Sequence, residues 1–238
     1  MTTKTLNISE EQLVDYSKAH NEPSWMTELR KKALKLTETL EMPKPDKTKL
    51  RKWDFDTFKQ HHTTGDAYTQ LTDLPKSVKE IIDVENSENL IIQHNNELAY
   101  TQVSDQAKHD GVIIEGLSEA LVNHSDLVQK YFMTKAVDFD EHRLTALHTA
   151  LVNGGIFVYV PKNTVVEHPI QYVVLHDDEQ ASFYNHVIIV TEESAEVTYV
   201  ENYLSTTSGE DNQLNIVSEV IAGANSNVTY GSVDYLDK

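Results

Sequence analysis

IFVYVPKNTVVEHPIQYVVLHDDEQASFYNHVIIVTEESAEVTYVENY, residues 156–203, carries the reading of the fold. Apolar, β-branched runs start at Ile156 (IFVYV), Tyr172 (YVVLH) and Val187 (VIIVT), 16 and then 15 residues apart. Each ends in a polar turn: Pro161-Lys162-Asn163, Asp177-Asp178-Glu179 and Glu192-Glu193-Ser194. Second strand-like runs follow at Val165 (VVEHPIQ), Ala181 (ASFYNH) and Ala195 (AEVTYVENY). A fourth unit, LNIVSEVI from Leu214 and NVTYGSV from Asn227, is delayed by STTSGEDNQ at 205–213. Strand–turn–strand units of fixed period stack as coils of a solenoid, each burying its apolar face on the next. An antiparallel meander also gives short strands at even spacing. The near-constant step favours stacking, with Ile156, Tyr172 and Val187 on successive rungs ~4.8 Å apart.

Upstream the pattern turns helical. Ser9 and Gln12 have capping-box spacing, with Glu10 and Glu11 in the first turn where the helix dipole favours acids, so a helix is expected up to about His20. A second helix opens at Ser24. Its apolar residues Trp25, Leu29, Ala33, Leu36 and Leu40 fall on one expected buried face, and Pro43 and Pro45 end it. LIIQH and ELAYTQV flank Asn95-Asn96, a hairpin signal because Asn tolerates positive φ. GVIIEGL reads as a short strand. DEHRLTALHTALVN reads as a helix closed by Gly154 and leading into the first solenoid strand, as a cap. At the other end the chain stops at SVDYLDK, just past a strand-like run, so it reads as the front part of a longer protein. An uncapped last coil is a template for another strand, and self-association or fraying through residues 214–236 is expected.

Composition narrows the function. A net charge of −18 argues against nucleic acid as a partner. With no cysteine, the chain has no disulfide, thiolate nucleophile or thiolate metal ligand. No stretch approaches the ~18 consecutive apolar residues of a membrane span, and the polar N-terminus is unlike a signal peptide, so the expected location is cytoplasmic. Lys44, Lys47, Lys49, Arg51 and Lys52 form the one basic cluster, read as a solvated linker.

Candidate chemistry is thin. GVIIEGLS, Gly111 to Ser118, has phosphate-loop glycine spacing but Leu117 where the lysine must be. Eleven histidines show no metal-ligand pattern: His61 and His62 are neighbours that point opposite ways, and His142 and His148 are six apart on a helix. His168, His176 and His186 lie in different runs and converge only if register allows. The carboxylate groups Asp177-Asp178-Glu179, Glu192-Glu193 and Glu210-Asp211 sit in turns, where acids are expected for solvation alone. No residue is therefore assigned a catalytic, cofactor-binding or metal-binding role, and the chain is expected not to be an enzyme.

With these segments in view, the chain resembles a known family. Asn21, Glu22, Pro23 and Trp25, then Arg30, Ala33 and Leu34, then Pro43, Pro45 and Trp53 resemble the N-terminal region of the SufD family, subunits of the SUF (SufBCD) iron–sulfur cluster assembly complex. LTALHTALVNGGIFVYVPKNTVVEHPIQ, with Gly154, Gly155, Val160 and Pro161, is similar to that family's passage from helix into β-helix. NHVIIVTEESAEVTYVENY, with Val187 to Val190 and Glu201, is similar to its next coils. The resemblance implies a mainly β fold: a right-handed parallel β-helix, truncated here, behind a helical N-terminal region and an α+β segment. Residues 1–84 would be helical region and linker, 85–155 a small α+β segment, and 156–238 the first coils. It also implies an assembly scaffold working with a SufB-like subunit and the SufC ATPase, the iron–sulfur cluster being handled by the intact complex and no cofactor by this chain. A β-helix carbohydrate-active enzyme is the alternative. It needs a row of carboxylates on one sheet face, which the strand alternation does not show. A generic protein-binding module is a third, weaker reading.

Overall fold

The computed structural model describes residues 6–50, 53, 55, 58, 59, 62, 63, 65–83, 87–205 and 214–235. Arg51, Lys52, His61, Glu210 and Asp211 lie outside them. The β elements are β1 (Asn89–His94), β2 (Glu97–Gln102), β3 (Ile113–Gly116), β4 (Gly154–Val160), β5 (Ile170–His176), β6 (Phe183–Thr191), β7 (Glu196–Ser205), β8 (Leu214–Ala222) and β9 (Asn227–Tyr235). They form a five-stranded sheet, β2-β1-β5-β7-β9, and a four-stranded sheet, β3-β4-β6-β8. Both sheets are mixed: β1–β2 and β3–β4 are antiparallel, and the remaining pairs are parallel.

This overturns the expected right-handed parallel β-helix. The protein is mixed α/β, with two mixed sheets and seven α-helices among the described residues. Ile156 pairs with Val187, whereas Tyr172 belongs to the other sheet and pairs with Glu201. The three runs are therefore not successive rungs. The 15–16-residue step is the distance between strands that alternate sheets, and each strand finds its partner two strands on. VVEHPIQ is not a strand of its own: Val165 makes one isolated bridge to Glu196, and Ile170 and Gln171 open β5. ASFYNH and VIIVT do not form a pair but run together as β6.

Side-chain alternation then sorts the core. Ile156, Val158, Phe183, Val187 and Ile189 of the smaller sheet face Ile91, Tyr172, Val174, Tyr199 and Tyr203 of the larger. The outer face of the larger sheet, Leu90, Ile92, Val173 and Leu175, is covered by Leu74, Val78 and Ile82, from a 3₁₀ turn at Leu71–Asp73 and helix α3 (Lys76–Lys79) onward. The outer face of the smaller sheet, Phe157, Ile188 and Val190, lies under α5 (Leu117–Asn123) and α6 (Ser125–Tyr131). A short helix, α4 (Asp105–His109), precedes β3.

Helices α1 (Glu10–Ala19), α2 (Ser24–Leu36) and α7 (Arg143–Leu151) pack together at the edge of this layer. The Ser9 capping box forms as expected, with the Gln12 amide donating to Ser9 Oγ at 3.2 Å and Gln12 Oε1 accepting from the Ser9 amide at 2.8 Å. Ser9→Ala should cost about 1 kcal/mol in a denaturant melt, as an orphaned helix N–H typically does; an unchanged midpoint would mean that α1 contributes nothing to cooperative unfolding. The hairpin at Asn95-Asn96 also forms, Asn95 adopting φ 53°.

Two helical expectations change. Helix α2 stops at Leu36, and its fully buried stripe is Met26, Arg30 and Ala33, extended by Thr37; Trp25, Leu29, Leu36 and Leu40 are only half-buried. The stripe turns because Arg30 is drawn inward by a carboxylate. Arg30 Nη2 and Nε donate to Glu22 at 2.6 and 2.9 Å, and Nη1 donates to the Ala150 carbonyl near the end of α7 at 3.0 Å. Burial alone would raise the Glu22 carboxyl, but the guanidinium outweighs it and holds the group below the usual carboxylate range. The second change is at α7, which is closed by Val152 rather than Gly154. Gly154 opens β4, and the glycine that needs positive φ is Gly155, at 140°. No helix among the described residues is long and apolar enough to cross a membrane.

Candidate functional site

The most concentrated buried polar chemistry lies where α7 crosses the outer face of the smaller sheet. His148 is on α7, His186 on β6, and Asn215 and Glu219 on β8. The register pairs Val217 with His186 and Glu219 with Ile188, so alternation turns His186, Asn215 and Glu219 to the same, helix-facing side. Asn215 Oδ1 lies 2.7 Å from His148 Nδ1, His148 Nε2 lies 2.9 Å from His186 Nδ1, and His186 Nε2 lies 2.9 Å from Glu219 Oε2. Both imidazoles and the carboxylate have no exposed surface. Glu219 also accepts the Met133 amide at 2.8 Å and the Val137 amide at 3.2 Å, tying the α6–α7 connection to β8. Burial and then the neighbouring His186 push His148 well below the usual imidazole range. Burial likewise lowers His186, against the opposing pull of Glu219. The arrangement can hold and pass protons. It presents no nucleophile and no opening to solvent.

A second polar layer lies between the sheets. The Tyr172 hydroxyl donates to Gln93 Oε1 at 2.6 Å, and Asn185 Nδ2 donates to the Tyr203 hydroxyl at 3.1 Å. Glu201 accepts from Tyr199 at 2.9 Å and from Tyr230 at 2.5 Å. Burial raises the Glu201 carboxyl, opposed in part by these two hydroxyls, and Tyr230 is pushed up to about 12, by burial first and then by Glu201.

The candidates read from the sequence are scattered. Gly111 to Ser118 is no phosphate loop: Ile113–Gly116 is strand β3, antiparallel to β4. His142 caps α7 by accepting the Thr145 amide. His168 is 3.6 Å from Glu88 near the surface, and His62 is 2.8 Å from Glu97. His176 is buried against Phe183 with neither ring nitrogen hydrogen-bonded. Asp177 accepts from Asn95 at 3.1 Å and pairs with His94 at 2.8 Å, bracing the hairpin turn. Asp178 accepts the Gln180 amide, Glu193 pairs with Lys162, and Glu192 accepts from Tyr131 and Tyr159. Among the described residues no group of three or more His, Asp or Glu side chains could hold a metal ion. Of these candidates only His148 and His186 meet. Glu219 was missed. A repeat of 31 residues, the offset from Val187 to its partner Ser218, would have set it beside Ile188, two residues along from His186 on the same face.

Comparison with known proteins gives this frame a family. The profile described as "SufBD protein N-terminal region" matches residues 10–172, and that described as "SUF system FeS cluster assembly, SufBD core domain" matches residues 173–238. The chain belongs to the SufBD family. Within that family it is similar to the iron–sulfur cluster assembly protein SufD of Bacillus subtilis, 48% identical over 232 residues, which are 97% of this chain and 53% of that protein. SufBD family proteins of Staphylococcus epidermidis and Staphylococcus aureus are 26% identical over 95% of this chain and 50% of their own length. The chain thus spans about half the length of the curated SufBD relatives it matches. In the N-terminal segment Glu22 and Arg30 form the buried ion pair that joins α2 to α7.

Proposed function

We infer that this chain is the N-terminal part of a SufD-like subunit that serves iron–sulfur cluster assembly as a scaffold rather than as an enzyme. The observation that carries the reading is the pair of SufBD profiles that together run from residue 10 to residue 238. The cluster is the cargo of the intact complex. The partners are a SufB-like subunit and a SufC-type ATPase, and the place is the cytoplasm. The geometry agrees with a passive role: His148, His186 and Glu219 bond to one another, and the acids in the turns brace the backbone or pair with lysine. Leu117 stands where a phosphate-binding lysine is required, and the chain has no cysteine to offer an iron–sulfur cluster.

Two measurements test this. Deleting the gene that encodes the chain is expected to lower the activities of several iron–sulfur enzymes together, with cluster-free enzymes unchanged and the B. subtilis relative restoring the loss. Unchanged iron–sulfur enzyme activities would refute the assignment. The purified chain is expected neither to hydrolyse ATP nor to keep an iron–sulfur absorbance after reconstitution, and turnover above background would refute the scaffold role.

A further inference from the structure

Hydrogen counting along Asn215, His148, His186 and Glu219 gives an odd number. Asn215 Oδ1 can only accept, so the hydrogen in its 2.7 Å contact sits on His148 Nδ1. His148 Nε2 and His186 Nδ1 share a second hydrogen, and His186 Nε2 and Glu219 Oε2 share a third. Two neutral imidazoles bring only two. We propose that this row is a binding site for a single proton, held between His186 Nε2 and Glu219 Oε2.

The surroundings supply no substitute. His148, His186 and Glu219 have no exposed surface through which solvent could complete the row. Helix α2 brings one charge near His148, Arg30, which is already committed to Glu22 and the Ala150 carbonyl. The α6–α7 connection brings the Phe132 ring, 4.6 Å from His186, and the two amides on Glu219. The Tyr184 ring on β6 lies 6.4 Å from that of His148. Without the third proton, a carboxylate charge is sealed in with no cation of its own, which a low-dielectric interior penalises heavily. With it, the row is neutral and every link is a hydrogen bond. The proton comes from solvent when the chain folds and returns there when it opens. Both imidazoles are neutral in the folded row and charge on unfolding, so the row loses stability as pH falls below the unfolded imidazole range; the held proton adds stability that fades as pH rises above that range, until the folded row releases it.

The His148 tautomer decides the matter. In the intact chain with 15N-labelled histidine at neutral pH, His148 Nδ1 is expected to be protonated and slow to exchange. A bare Nδ1 would mean that the Asn215 amide is turned to donate and that two protons suffice, which overturns the proposal. Glu219→Gln gives a second reading. Its amide is a permanent donor to His186, although the Met133 amide loses an acceptor, so the slope with pH is informative and the absolute stability is not. Relative to this variant, the wild-type unfolding constant is expected to rise about tenfold per pH unit through the neutral range, the signature of one linked proton. Parallel profiles would overturn the proposal.

Discussion

Gly155→Ala should lower stability by about 4 kcal/mol or more, placing it among the rare, severe single substitutions. Gly155 sits in β4 opposite His186 of β6 with φ at 140°, a conformation that L side chains rarely adopt. A Cβ there would lie 2.0 Å from the His186 carbonyl oxygen and under 3 Å from two further backbone atoms of the same residue. Backbone cannot yield without opening the β4–β6 ladder, and that ladder also carries His186 into its row with His148. Gly154 is the control. Its added Cβ would meet chiefly the end of the Gln93 side chain, at 2.5 Å, rather than backbone, so its loss should be the smaller one, set by the bonds of the Gln93 amide to Tyr172, Asn95 and Gly155. Urea melts of both variants check the contrast, and equal midpoints would show that β4 can slide along β6 at little cost.

Glu22→Ala should cost about 3–5 kcal/mol, the usual penalty for removing one partner of a buried ion pair. Arg30 would keep its bond to the Ala150 carbonyl but lose both bonds to the carboxylate, with its side chain only 2% exposed. Replacing both members, Glu22→Leu with Arg30→Met, should recover most of the loss, because two apolar groups do not need each other. The pair also shapes the acid limb. The folded Glu22 carboxyl is held below its unfolded range of ~4.3, so its contribution is present above that pH and fades as pH falls further. The wild-type profile should therefore drop more steeply below pH ~4 than that of Glu22→Ala. A denaturant midpoint for Glu22→Ala within error of wild type would mean that water reaches Arg30.

What could be read from the sequence was what neighbours settle among themselves. Ser9 and Gln12 are three residues apart and cap one another; Asn95 and Asn96 make a turn whatever lies beyond it. The strands were also found, because β-branched runs mark themselves. Which strand pairs with which was not legible, since Ile156 meets Val187 only through the side chains that line both sheets. Arg30 misled for a related reason: apolar periodicity counts a charged residue as surface, and only its pairing with Glu22, eight positions back, makes an arginine a core residue. The His148–His186–Glu219 row was least legible. Its members come from a helix and two strands, and none is marked by a local motif.

The alternation of sheets has a consequence for how such a frame can change length. Because β4, β6 and β8 form one wall and β5, β7 and β9 the other, a lone strand gained or lost would move everything after it to the opposite wall. Tyrosines that now meet between the walls would lose their present partners, and His186 would leave α7. Two strands together, about one 31-residue step as between Ile156 and Val187, leave every later residue on its own wall. Length in this protein is therefore quantised in pairs.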